Sequence, residues 1–197
     1  MFDSILFDFD GVLADTEPIH YECWVEILAP FGIRPTWDYY QRECIGISDR
    51  LMVERISSPT LFDLIWPKYD DKKALFRDKL SLKSPFLTET VDMISSLSPH
   101  YKLAVVSSSG RSEVEPPIVR AGLRHHFGAM VCGREAGDLK PAPDSYLLAA
   151  QLLGARNPLV VEDSDAGVTA GRAAGFEVLR VNSAESVPGE LRRVLYS

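Results

Sequence analysis

The chain has 197 residues, 46% of them hydrophobic and 25% charged, with a formal net charge of −7. That length buries a sizeable core, as one large domain or a domain with an insertion, and that charge argues against a non-specific nucleic-acid binder or an anionic-membrane binder. No basic-then-apolar leader and no membrane-length apolar run is seen, and Cys23, Cys44 and Cys132 lack CxxC spacing, so a protein of the reducing cytoplasm is expected.

The first element is Ile5-Leu6-Phe7, an unbroken apolar run of the kind buried on both faces of a parallel sheet. It runs into Asp8-Phe9-Asp10-Gly11, where the two aspartates project to one side of an extended chain and Gly11 permits a turn. From Thr16 the pattern is helical. Asp15 or Thr16 stands as the cap, Pro18 fits the first turn, and Ile19, Cys23, Ile27 and Leu28 recur at helical spacing until Pro30 and Gly32. A second helical pattern begins at Thr36 and is interrupted at Gly46-Ile47-Ser48-Asp49, and a third carries Leu51, Met52 and Ile56. Thr60-Leu61-Phe62-Asp63 has capping-box spacing and starts a fourth, after which charged residues run from Asp70 to Lys83.

Beyond Pro85 the pattern changes. Thr88 to Leu97 reads as an amphipathic helix, and Lys102 to Ser107 as a β-branched strand ending in Ser107-Ser108-Ser109-Gly110. The helix expected from about Ser112 has Pro116-Pro117, which only a first turn accepts readily. Ala129 to Cys132 is a strand, Asp144 to Leu153 a helix stopped by Gly154, and Leu159-Val160-Val161 a strand ending on Glu162-Asp163. A helix from Asp165 to Ala174, a strand from Glu177 to Val181 and a short amphipathic helix complete the chain. Strands alternating with helices imply an α/β fold with a parallel, Rossmann-like sheet. That core would comprise residues 1–15 and 85–197, with an all-helical domain of residues 16–84 inserted after the first strand.

Ligands of open α/β sheets bind at the carboxyl ends of the strands, and here the polar residues gather at such ends. Asp8 and Asp10 follow the first strand, Ser107 and Ser109 the second, and Glu162 and Asp163 a later one, with Lys140 in a Gly- and Pro-rich loop before a helix. Two acids ending a buried strand call for a cation, and Mg2+ bound by carboxylates and a substrate phosphate is the simplest. Taken alone, Asp10-Gly11 reads equally well as a turn, Lys140 as a solvated lysine and the serine run as a loop.

Together these residues resemble the haloacid dehalogenase superfamily, in its phosphatase and β-phosphoglucomutase-like branch with a helical cap. The resemblance rests on Asp8-Phe9-Asp10-Gly11-Val12-Leu13, Val106-Ser107, Lys140-Pro141-Ala142-Pro143-Asp144 and Val161-Glu162-Asp163-Ser164, in that order. It implies that Asp8 attacks a phosphoryl group to form an aspartyl-phosphate, and that Asp10 protonates the leaving oxygen and then activates water. It also implies Mg2+ held by Asp8, the Asp10 backbone carbonyl and Asp163, with Glu162 contributing directly or through water. Ser107 and Lys140 would bind the transferring phosphoryl oxygens, with Ser108 and Ser109 adding donors.

The inserted helical block matches the family's cap, which closes over the site. By the same resemblance, candidate substrate contacts there are His20, Trp24, Gly46, Arg50 and Lys72. Trp24 also reads as cap core, and Lys72 with Lys73 as a solvated charged face. Asp49 and Gly110 stand where the mutase has cations, with Arg50 beside Asp49 as the nearest replacement. The reading is therefore a Mg2+-dependent phosphatase of a small phosphorylated metabolite, such as a sugar phosphate, and a monomer. A β-phosphoglucomutase-like phosphotransferase is the alternative, with a non-catalytic phospho-acceptor or binding protein more remote. His125-His126 is expected to mark an exposed turn.

Overall fold

The computed structural model describes residues 1–45 and 47–196. Gly46, named above as a substrate contact, lies outside them. In chain order, β1 (Ser4–Phe7) is followed by helices α1 (Glu17–Leu28), α2 (Trp37–Glu43), α3 (Asp49–Ile56), α4 (Pro59–Ile65) and α5 (Tyr69–Leu82). Then come α6 (Thr88–Leu97), β2 (Lys102–Ser107), α7 (Arg111–Arg120), β3 (Phe127–Cys132) and α8 (Asp144–Leu153). Strand β4 (Pro158–Glu162), α9 (Asp165–Ala173), β5 (Glu177–Arg180) and α10 (Val187–Tyr196) end the chain. Two compact units result, Met1–Asp15 with Ser84–Ser197, and Thr16–Lys83.

The first unit is an α/β layer structure around a parallel sheet of order β3-β2-β1-β4-β5. β1 lies between β2 and β4, with Phe7 opposite both Val105 and Val161. Every residue of β1 is buried because both sheet faces are covered. Ile5 and Phe7 pack with Ile94 of α6, Ile118 of α7 and Leu191 of α10, whereas Leu6 faces Tyr146 and Ala149 of α8 and Ala170 of α9. Parallel pairing brings the carboxyl ends of β1, β2 and β4 to one edge, where Asp8, Ser107 and Glu162 stand.

The second unit is helical throughout its regular elements. α1 serves two cores: Trp24 and Leu28 pack with Tyr40, Val53 and Ile65, and Ile19 and Cys23 with Phe76 and Leu80. Among the described residues, no helix is long and apolar enough to cross a membrane.

Several local expectations needed correction. Thr16 occupies the N-cap of α1 with an αR backbone, and its side chain makes no capping bond. α4 starts at Pro59 rather than after Thr60, because Ser58 accepts the Leu61 N–H at 3.4 Å and Pro59 is tolerated at the first helical position. α7 begins at Arg111, which puts Pro116 and Pro117 inside the helix rather than in its first turn. The start is capped locally, Glu113 Oε2 accepting the Gly110 N–H at 3.2 Å, and its first residue is also tied outside the helix. Arg111 clasps Glu135 through Nε at 2.7 Å and Nη2 at 2.8 Å, and Nη2 also donates to the Met130 carbonyl.

Candidate active site

β1 delivers Asp8 to the edge, and its backbone N–H donates to the Val161 carbonyl at 3.0 Å, so the β4 register extends one residue past the strand. Asp8 is buried, and one of its carboxylate oxygens accepts from Lys140. Lys140 lies in the turn before α8. Its ammonium also donates to Glu162 Oε1 at 2.6 Å and to the Val106 carbonyl at 3.0 Å, so its three protons are all engaged.

Glu162 ends β4 and is 0% exposed. Its Oε1 accepts from Tyr146 Oη at 2.7 Å as well as from Lys140. Its Oε2 accepts from the Asp163 and Ser164 N–H groups, both at 3.2 Å, and from Ser164 Oγ at 3.0 Å. Both oxygens are therefore fully committed. Two glycines make room for this arrangement. A Cβ at Gly167 on α9 would lie 1.7 Å from Glu162 Oε1, and one at Gly11 would lie 2.1 Å from Asp163 Oδ2. Gly11 also has φ +76°, in the left-handed region that favours glycine.

Asp10 Oδ2 accepts from Ser109 Oγ at 2.9 Å. Ser107 is buried at the end of β2, and its Oγ accepts the Ser109 N–H at 3.0 Å, which folds the serine loop back towards β1. Ser108 is exposed within that loop. Asp8, Asp10, Ser107, Ser109, Lys140, Glu162 and Asp163 thus meet at one sheet edge.

Charge at this edge is unbalanced. Burial pushes the Asp8 carboxyl well above the usual carboxylate range, with Glu162 and Asp10 adding to the effect and Lys140 opposing it. Burial and the Glu162 carboxylate push Asp163 up to about 6. Burial by itself would lower the Lys140 ammonium, but Asp8 and Glu162 outweigh it and hold the group above its ordinary value. Asp8, Glu162 and Asp163 each place one oxygen so that all three lie within 4.8 Å of one another. Several buried carboxylates sharing one ammonium fit a hard divalent cation in charge and in donor type. Asp8 and Asp163 have the free acceptor capacity for it, and Glu162 has spent its own.

Of the candidate residues in the helical unit, His20, Trp24 and Lys72 gather around Asp49. Lys72, on α5, is 2% exposed and not part of a solvated face. Its ammonium donates to Asp49 Oδ2 at 3.0 Å and to His20 Nδ1 at 2.8 Å, while Trp24 Nε1 donates to Asp49 Oδ1 at 2.8 Å. Trp24 is wholly buried in the unit's core. Arg50 is exposed, pairs with Glu54 at 3.0 Å and lies over the rings of Phe62 and Trp66. His125 is exposed, and His126 Nδ1 pairs with Ser98 Oγ at 2.7 Å.

Sequence reasoning missed Tyr146 and Gly167. Nothing in their spacing marks them, since Tyr146 looks like a core aromatic of α8 and Gly167 like a weak point in α9.

Comparison with known proteins places this geometry. The haloacid dehalogenase-like hydrolase family model matches residues 5–181. The chain is 32% identical over 187 residues to the fructose-1-phosphate phosphatase YqaB of Escherichia coli, covering 90% of this chain and 95% of that one. It is 29% identical over 182 residues to a phosphorylated carbohydrates phosphatase of Thermotoga maritima, covering 89% and 82%. Among solved structures it is similar to CbbY of Rhodobacter sphaeroides in complex with phosphate, with a TM-score of 0.68, 25% identity, and 90% and 85% coverage.

Proposed function

Because the chain belongs to the haloacid dehalogenase-like hydrolase family, we propose that it is a Mg2+-dependent phosphatase of a small phosphorylated sugar, working through an aspartyl-phosphate on Asp8. The observation that carries this reading is the buried Asp8 carboxylate, held by Lys140 at a strand end beside further carboxylates that one ammonium does not balance. Two of the relatives named above act on phosphorylated carbohydrates, which supports a sugar phosphate.

In this reading an Asp8 oxygen attacks phosphorus and the bond to the leaving oxygen breaks. Asp10, steadied by Ser109 Oγ, gives that oxygen its proton and then takes one from the water that cleaves the acyl-phosphate. Ser107 and the N–H groups of the serine loop bind the phosphoryl oxygens, and Lys140 turns to them the proton it gives Asp8 as Asp8 attacks; positioning and charge stabilisation there supply most of the rate. Asp8, the Asp10 carbonyl and Asp163 would hold Mg2+, with Glu162 adding negative charge beside them rather than a ligand oxygen, because both of its oxygens are committed. The ion would supply the positive charge that lets a carboxylate approach an anionic phosphate. The helical unit serves as a cap. Its Asp49 is committed to Lys72 and Trp24, and Arg50 to Glu54, which favours hydrolysis over a mutase that must hold a second phosphate.

The test is phosphate release from a panel of sugar phosphates, phosphoglycolate and β-glucose 1-phosphate, with Mg2+ and with chelator. Metal-dependent release is expected. Glucose 6-phosphate formed from β-glucose 1-phosphate without free phosphate would overturn the hydrolase in favour of the mutase.

Metal affinity should also depend on pH with a definite sign. Asp163 binds a proton below about 6, and that proton competes with the ion. The apparent Mg2+ dissociation constant is therefore expected to be at least roughly tenfold higher at pH 5 than at pH 7, as one pH unit below a pKa leaves about a tenth of Asp163 ionised and the raised Asp8 carboxyl acts in the same direction. Calorimetric titration with MgCl2 at the two pH values reads this directly. Equal affinities would remove Asp163 from the ligand set.

A further inference from the structure

We infer that Tyr146 is a positioning residue for Lys140: its hydroxyl fixes Glu162 Oε1, which fixes the ammonium beside Asp8. This rests on the phosphatase reading and adds to it a residue outside the motifs that carry the resemblance.

Tyr146 is 0% exposed and sits on the face of α8 that packs against Leu6, Ala104 and Val160. Those three strand side chains are apolar, so packing of the ring against the sheet would be served equally by phenylalanine. A phenol hydroxyl in such surroundings is costly unless it is bonded. Here it is bonded, at 2.7 Å, to the same Glu162 oxygen that receives Lys140 at 2.6 Å. The Tyr146 ring meets Lys140 a second time, with its centroid 4.9 Å from Nζ. Lys140 is thus seated by one side chain at two points, through the ring face directly and through the hydroxyl by way of Glu162.

The consequence follows from how Glu162 divides its acceptors. Oε2 is anchored to backbone and to Ser164, whereas Oε1 has only side-chain partners, Lys140 and Tyr146. Without the hydroxyl, Oε1 is left to Lys140 alone. The ammonium is then drawn towards Glu162 and away from Asp8 and the phosphoryl oxygens. Lys140 meets the charge that develops on those oxygens, so its displacement should lower kcat more than it raises KM.

Tyr146→Phe keeps the ring and removes the bond. On the best sugar phosphate of the panel, kcat is expected to fall about tenfold with KM changed less than about twofold, the scale of one hydrogen bond to a charged group. In the Lys140→Ala background the same change should cost almost nothing, because the residue it acts through is gone. An NMR spectrum of 15N-lysine-labelled protein, with the Lys140 Nζ signal assigned by its loss in Lys140→Arg, should show that signal shifted or broadened by Tyr146→Phe. An unchanged kcat, an equal loss in both backgrounds, or loss of the fold in Tyr146→Phe would each overturn the positioning role. Wild-type protein inactive on the whole panel, with the Nζ signal still shifted by Tyr146→Phe, would overturn the phosphatase reading and leave the positioning supported.

Discussion

Asp8→Asn is expected to lower phosphate release by at least about four orders of magnitude while leaving the fold intact. The loss is large because an amide oxygen does not form the acyl-phosphate, and nothing else at this edge replaces covalent catalysis. Retention of the fold follows from the local charge. Burial already pushes the Asp8 carboxyl well above the ordinary range, so its ionised form is a burden on the folded state near neutrality. Removing that charge still leaves Lys140 bonded to Glu162 and to the Val106 carbonyl. The stability of the variant should lie within about 1 kcal/mol of wild type, or above it. Steady-state phosphate release and a urea titration of the same preparation check both halves. Turnover near wild type would sink the aspartyl-phosphate mechanism, and an unfolded variant would show that Asp8 is needed for the fold.

The legible parts of this chain are those whose signals are local. β1 is read from Ile5 to Phe7 because a strand buried on both faces needs no alternation, and β1 packs on both faces. α6 is found at its observed bounds because it has an apolar face, and α8 because Gly154 ends it, with a left-handed φ of 57°. Asp8, Asp10, Ser107, Glu162 and Asp163 stand out by position at strand ends, which parallel pairing brings together, and Lys140 by the loop before α8.

What escaped is set by tertiary partners. α7 starts at Arg111, whose side chain is held by Glu135, 24 residues away in sequence, and so carries two prolines in its body. Tyr146 carries a polar task that its apolar neighbours conceal. Gly167 is explained only by the Glu162 carboxylate lying where its side chain would be. Lys72, among the charges of α5, reads as solvated until Asp49 and His20 are found beside it.

That last group supports the other large prediction. Asp49→Ala should destabilise the helical unit by about 2–4 kcal/mol, because it strips a carboxylate from an ammonium that is only 2% exposed. The indole N–H of Trp24 loses its acceptor in the same step. The figure sits somewhat below that for a fully buried pair, since the Asp49 side chain is 27% exposed and water reaches it. Asp49 itself agrees with this direction. Burial would raise its carboxyl, but Lys72, Trp24 and His20 outweigh burial and hold it below its ordinary value. Its ionised form therefore stabilises the fold above the unfolded value of 3.8, and that contribution fades as pH falls through the lower folded value. Exchanging both members, Asp49→Leu with Lys72→Met, should recover at least about 1 kcal/mol over Asp49→Ala, because two apolar side chains leave no charge stranded. Trp24, Trp37 and Trp66 all lie within Thr16–Lys83, so tryptophan fluorescence during urea unfolding reports this unit selectively. A midpoint for Asp49→Ala equal to wild type would mean that His20 and the surrounding rings suffice to accommodate Lys72 without Asp49. A double variant no more stable than Asp49→Ala would mean that the damage comes from the lost indole bond and not from the stranded ammonium.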